Sequence, residues 1–206
     1  MKGKFITFEG IDGAGKSTHI ESVHAFLVAR GKTVVRTREP GGTALGEAVR
    51  GLFLGRSMSA HTEALLVFAA RREHLETVVW PALDRGDWVL CDRFTDATFA
   101  YQGGGRELGF ERIASLAQWV HPDFRPDLTL LFDLSPEAAR DRVARRGELD
   151  RIESEASEFH RRVREAYLHR AHDDPERIKV LSSEQSKDTV RSRVLVCAQQ
   201  LLASEG

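Results

Sequence analysis

"FEGIDGAGKST", Phe8 to Thr18, leaves an apolar run, passes three glycines (Gly10, Gly13 and Gly15) and ends on Lys16-Ser17-Thr18. Gly10, four intervening residues, Gly15, Lys16 and Ser17 match G-x-x-x-x-G-K-[ST], the pattern of a phosphate-cradling loop. The flanks agree with that pattern. "KFITFEG" before it has the apolar character of a buried strand, and Thr18 to Arg30 after it carries Ile20, Val23, Phe26 and Leu27 at helical spacing. A helix beginning there would aim free backbone N–H groups at an anion, and the glycines would let the backbone come close to it.

The same alternation continues along the chain. "KTVVRTREP", "DWVLCDRF", "DLTLLFDLS" and "RIKVLSSE" repeat the short apolar run, with helix-period stretches between them. Runs as apolar as "LTLLF" are strands covered on both faces, so the expected fold is α/β, with a five-stranded parallel sheet flanked by helices and ligands at the carboxyl ends of the strands. The longest helical stretch, Thr62 to about Leu83, opens on a capping signal and stops near Pro81 and Gly86. Near the C-terminus, Val190, Val194, Ala198 and Leu201 form a core-facing stripe. At 206 residues the chain is expected to form a single domain over 1–206, and "RRGELDR" (Arg145 to Arg151) marks a charged interruption that can move as a lid over about 142–153.

Composition narrows the function classes. Thirty Lys and Arg against 31 Asp and Glu leave a net charge of -1, giving no general field for nucleic acid or a membrane surface. Any basic site must be local. Cys91 and Cys197 sit apart in apolar runs, which fits buried thiols and a reducing cytoplasm rather than a disulfide framework. No segment approaches the length of an apolar membrane span, and the protein is expected to be soluble and unprocessed. His169 and His172 share a helix face, but the surrounding "HDDPE" reads as a solvated helix end rather than a metal site.

In the cradle, Gly10, Ile11, Asp12, Gly13, Ala14, Gly15, Lys16, Ser17 and Thr18 would surround the phosphates of ATP. Lys16 would reach the β- and γ-phosphates, and Ser17 would place its hydroxyl on Mg²⁺. No N-K-x-D base-reading run of a GTPase occurs, whereas arginines follow several strands, as a phosphorylated second ligand requires.

"REPGGT" (Arg38 to Thr43), "DRF" (Asp92 to Phe94), "AYQGGGR" (Ala100 to Arg106) and "RGELDR" follow the cradle in that order, and together they resemble the thymidylate kinase family over most of the chain. The resemblance implies a P-loop nucleoside monophosphate kinase fold with a short lid, and transfer of a phosphoryl group from ATP-Mg²⁺ to thymidine monophosphate. It implies that Arg93 grips the acceptor phosphate, with Asp92 near Mg²⁺ or its water shell. It further implies roles for Arg38 and Arg50, an acceptor wall shaped by a cis peptide at Pro40, Thr98 and Gln102 on the polar edge of thymine, Tyr101 along the sugar, and a homodimer. Repulsion between two phosphorylated ligands is offset by such cations.

In many members an aromatic and an arginine four residues apart bind the base. Val67 with Arg71 and Phe68 with Arg72 both have that spacing, and Phe68 is also three residues from Arg71. Phe68 with Arg71 is the expected pair. The cradle interior "IDGA" has no arginine, so the chain resembles the bacterial type, with the catalytic arginine in the lid. Arg146 is the first candidate, with Arg142 and Arg151 behind it, and Asp12 is placed at the sugar 3′-hydroxyl. Lys16, Arg93, Arg146 and Asp12 form the expected catalytic set. Two rivals remain: a deoxynucleoside kinase, for which Glu9 or Glu39 could act as base, and a nucleotide-dependent binding module without turnover.

Overall fold

The structure, a computed structural model, describes residues 3–145 and 150–204. Strand β1 (Phe5–Glu9) leads through the glycine loop into α1 (Lys16–Val28), which returns to β2 (Val34–Arg38). Helices α2 (Ala44–Gly55) and α3 (Ala60–His74) follow; α3 continues through a widened π-helical turn, Leu75–Val79, into α4 (Trp80–Asp84). After β3 (Trp88–Asp92), α5 (Thr95–Thr98) runs into a second π-helical stretch, Phe99–Gly105, and then comes α6 (Phe110–Val120). Strand β4 (Leu128–Asp133) precedes α7 (Pro136–Ala144) and α8 (Ser157–Asp173), and β5 (Ile178–Ser182) precedes α9 (Lys187–Ala203).

The five strands are all parallel, in the order β2-β3-β1-β4-β5. The chain leaves β1 toward one side for β2 and β3 and crosses to the other for β4 and β5. The carboxyl ends of β1, β3 and β4 therefore flank the crevice where ligands bind in this class of sheet. Every residue of β1 is buried, which explains its near-continuous apolar character. Thr7 and Glu9 are the polar exceptions. Thr7 lies beside Thr129 of β4, and the two hydroxyls bond at 2.8 Å, so neither is stranded.

The long helical stretch spans 60–84 rather than 62–83. Ser59 caps it by accepting the Thr62 N–H, and Pro81, which has no N–H to give, sits just after the widened turn that relaxes the ladder. In the second π-helical stretch the glycines of "GGG" have a packing role. A Cβ on Gly104 would lie 2.6 Å from the Ala166 Cβ, and one on Gly105 would lie 2.6 Å from the Phe159 ring. Only residues without side chains let α8 approach this closely, and that contact fixes Tyr101 and Gln102 over the sheet. On α9, Val190, Val194 and Ala198 are buried in the main core, and Leu201 packs at its margin. Both cysteines are free thiols, Cys91 buried and Cys197 half-buried.

Candidate active site

The loop after β1 has the backbone an anion cradle needs. Gly10, Gly13 and Gly15 adopt φ of +130°, +83° and +91°, a region closed to most side chains. At Gly10 the sterics are stricter still, since a Cβ would fall 2.4 Å from the Phe132 carbonyl oxygen. Helix α1 starts at Lys16 with no side-chain cap and no acid in its first turn. Thr43, Ser59, Ser135 and Ser186, by contrast, cap α2, α3, α7 and α9 through their hydroxyls. The first N–H groups of α1 are thus left for a ligand. The buried Lys16 ammonium donates to the Gly10 carbonyl at 3.1 Å and the Ile11 carbonyl at 3.4 Å. Burial and then Arg93 push its pKa down, against the pull of Asp92 and Asp12.

Lys16, Arg38, Arg50, Arg93 and Arg142 border one cavity over this loop, together with Ser17 and Asp92. Burial and then the like charges of Arg38 and Arg93 push the Arg50 pKa down. Such a cluster is most stable with an anion in it. Arg38 is partly offset by Glu47, which accepts from it at 2.8 Å. Asp92 Oδ1 is buried and has no hydrogen-bond partner. An orphan carboxylate oxygen sharing a cavity with the Ser17 hydroxyl suits a hard cation that takes its remaining ligands from water and phosphate. Among the described residues no group of three or more His, Cys, Asp or Glu side chains could hold a metal alone.

Arg93, just past β3, has φ +72°, an uncommon value for a residue with a side chain. Its N–H still donates to the Phe8 carbonyl, so the bend at the strand end turns the side chain over the sheet. The guanidinium donates to Asp12 Oδ1 at 2.9 Å and Tyr167 Oη at 3.3 Å, and lies 4.8 Å over the Tyr101 ring. Burial lowers its pKa, but Asp12, Tyr101, Tyr167 and Asp92 outweigh burial and hold it well above the usual value. Beneath it, Glu9 accepts from the Phe94 N–H at 2.7 Å and the Tyr167 hydroxyl at 2.8 Å. Burial and then Asp96 push the Glu9 carboxyl up to about 8.

A second cavity adjoins the first, sharing Asp12, Glu39, Arg50 and Arg93 with it. Pro40, Val67, Arg71, Thr98, Tyr101 and Gln102 line it, with Phe53, Phe94, Asp150 and Ile152. The Glu39-Pro40 peptide is cis. Arg71 is nearly inaccessible: its Nε donates to Glu39 Oε2 at 2.7 Å and its Nη2 to Thr98 Oγ1 at 2.9 Å, leaving Nη1 buried and unpaired. The Tyr101 hydroxyl is likewise a buried orphan. Two unsatisfied polar groups at one cavity mark where a ligand supplies the partners.

Phe68 does not line this cavity. It faces away, packed with Ala64, Phe99, Leu108 and Ile113 against α6, and stacks on His121 at 6.3 Å. Val67 takes the cavity face in its place, because a step of one residue turns a helical side chain by about 100°. The Phe68–Arg71 pairing is real, with the guanidinium 4.7 Å over the ring, but Phe68 supports Arg71 from behind. Arg146 lies outside the described residues. Of the other two lid candidates, Arg142 donates to the Gly13 carbonyl at 3.3 Å and the Ser183 carbonyl at 2.8 Å, beside the cradle. Arg151 instead turns inward to Glu63 at 2.7 Å and the Phe53 carbonyl at 2.9 Å.

Sequence patterns missed the buried groups that hold these side chains. His74 Nδ1 bonds Glu39 Oε1 at 2.8 Å and its Nε2 bonds Thr37 Oγ1 at 2.6 Å, so the carboxylate behind Arg71 is fixed on both sides. Glu63 takes Gln102, Arg106 and Arg151 together. An acid and a histidine at helical spacing with the apolar residues Ala64, Val67 and Phe68, at Glu63 and His74, are the signal that could have found them.

Residues 8–194 match the family profile described as thymidylate kinase. The chain belongs to the thymidylate kinase family. It is 57% identical over 196 residues to a thymidylate kinase of Nitrosospira multiformis, covering 94% of this chain and 96% of that one. With a thymidylate kinase of Cupriavidus metallidurans it shares 59% over 191 residues, 93% of this chain and 95% of the relative. The crystal structure of a thymidylate kinase from Ehrlichia chaffeensis superposes with a TM-score of 0.80 at 34% identity, covering 97% of this chain and all of that one. The fold is accordingly that of the P-loop nucleoside monophosphate kinases, and the protein is an enzyme of this family.

Proposed function

We propose that the chain transfers the γ-phosphoryl group of ATP to the phosphate of thymidine monophosphate, giving ADP and thymidine diphosphate for DNA precursor synthesis. The observation that carries this reading is that the glycine-loop cavity and the largely apolar cavity beside it share Arg50 and Arg93. Two anionic ligands could meet end to end only across such a cationic wall. An acceptor phosphate oxygen forms the new bond to the γ-phosphorus, and the bond to the β–γ bridging oxygen breaks. Lys16 and Arg93 offset the charge as donor and acceptor close, and Asp12 orients Arg93 and faces the sugar.

When bound, Mg²⁺ would neutralise charge on the donor phosphates, held through Ser17 and Asp92. The acceptor phosphate is already ionised near neutral pH, so no general base is required. That favours a monophosphate acceptor over a nucleoside. Both carboxylates that could serve a nucleoside hydroxyl are engaged, Glu9 by Tyr167 and Phe94, Glu39 by Arg71 and His74. The base lies against Val67 and Phe94, with Arg71, Thr98 and Gln102 on its polar edge and Tyr101 along the sugar. Pro40 walls the site, Arg38 and Arg50 flank the phosphate, and Arg146 has the role of offsetting charge on the transferring group. The enzyme works as a single-domain cytoplasmic homodimer; no helix among the described residues is long and apolar enough to cross a membrane.

The test is ADP release with ATP-Mg²⁺ and a panel of nucleosides and nucleoside monophosphates. Strong turnover with thymidine monophosphate alone is expected. Turnover with thymidine in place of its monophosphate would overturn the acceptor assignment, and silence across the panel would overturn the activity.

A further inference from the structure

The polar edge of the acceptor cavity is set by a buried carboxylate that does not border the cavity. Arg71 can only donate, and Nη1 is the nitrogen left after Glu39 and Thr98 take Nε and Nη2. Gln102 could in principle offer either end of its amide, because O and N differ little in shape. Here Nε2 donates to Glu63 Oε2 at 3.0 Å. Glu63 is about 1% exposed and also accepts from Arg106 at 3.2 Å and Arg151 at 2.7 Å. An ionised carboxylate held by two arginines only accepts, so a reversed amide would set oxygen against oxygen. The amide oxygen is therefore the end left for the cavity that Gln102 lines.

We propose that Glu63 is a specificity-determining positioning residue: by fixing the Gln102 amide it presents an acceptor beside the unpaired donor nitrogen Nη1 of Arg71. This inference rests on the acceptor reading above. The pair matches a ring with an N3–H next to a 4-carbonyl, as in thymine, and mismatches cytosine, which offers an N3 lone pair and a 4-amino group. Glu63 thus acts on base choice through Gln102 while its contacts to Arg106 and Arg151 tie the same carboxylate to the strap of residues 150–155.

The experiment compares kcat/KM for thymidine monophosphate and deoxycytidine monophosphate in the unmodified protein, in Glu63→Gln, and in the exchange variant Glu63→Gln with Gln102→Glu. An amide at position 63 tolerates either orientation of Gln102. Glu63→Gln should then lower the preference for the thymidine nucleotide about tenfold or more, with the KM for ATP unchanged. The exchange variant keeps one carboxylate in the cluster and returns an acceptor-only group to the cavity, so the preference should recover. Equal losses for both acceptors in Glu63→Gln, or an exchange variant that folds without regaining preference, would overturn the role of Glu63. An unmodified protein without preference between the two acceptors would overturn the acceptor reading itself.

Discussion

The glycine cradle and the neighbouring cavity, proposed above for the acceptor, share Asp12, Glu39, Arg50 and Arg93 but are built in opposite ways. The cradle is backbone: three glycines at positive φ, an uncapped helix start and one lysine, all within nine residues. The acceptor cavity is side chain: Arg71, Thr98 and Gln102 come from α3, α5 and the π-helical stretch, and each is held by a partner elsewhere in the chain. A backbone site is fixed by local conformation and survives most changes around it. A side-chain site depends on buried charged groups such as Glu39 and Glu63, whose loss leaves an uncompensated partner.

Arg93 serves both regions, so Arg93→Ala should have the largest effect, lowering kcat/KM about 10³-fold. Steady-state kinetics with both substrates would check it, and a loss confined to one substrate's KM would separate the regions that the shared wall is argued to join. Arg146→Ala should lower kcat on the order of 100-fold with little change in the acceptor KM. An unchanged kcat would remove Arg146 from the chemistry. A paired test sharpens the boundary of the acceptor cavity. Val67→Ser should raise the acceptor KM about tenfold, whereas Phe68→Leu should cost about 1 kcal/mol in denaturant unfolding and leave KM alone. The reverse result would put Phe68 back at the ligand.

A last effect, on stability rather than turnover, concerns Glu9. Its carboxyl is raised from the ordinary 4.5 to about 8, so between those values the folded chain keeps a proton that the unfolded chain gives up. Stability should fall as pH rises through that window, by about 1.4 kcal/mol per pH unit from this group. Glu9→Gln should flatten the slope between pH 5.5 and 7.5. Parallel unfolding profiles for the two proteins would break the assignment.

Legibility in the sequence followed the same division. Five strands, the helix after the glycine loop and a capping signal near the start of the long helical stretch were readable because apolar periodicity, glycine and cap signals act within a few residues. So was the cradle, down to Gly10, Lys16 and Ser17. The end of the third strand at Asp92 was legible as well.

Which side chain of α3 lines the second cavity was not readable. Val67 and Phe68 have the same neighbours in sequence, and only the packing of Phe68 against α6 turns Val67 to the cavity. Nor could spacing reveal that Arg151 pairs with Glu63, 88 positions away, rather than with an acid on its own segment. Local composition determines which backbone forms, because hydrogen bonding and φ preferences are short-ranged. Which of two adjacent side chains meets the ligand, and which way a buried amide faces, is decided by contacts that exist only once the sheet and helices have closed on one another.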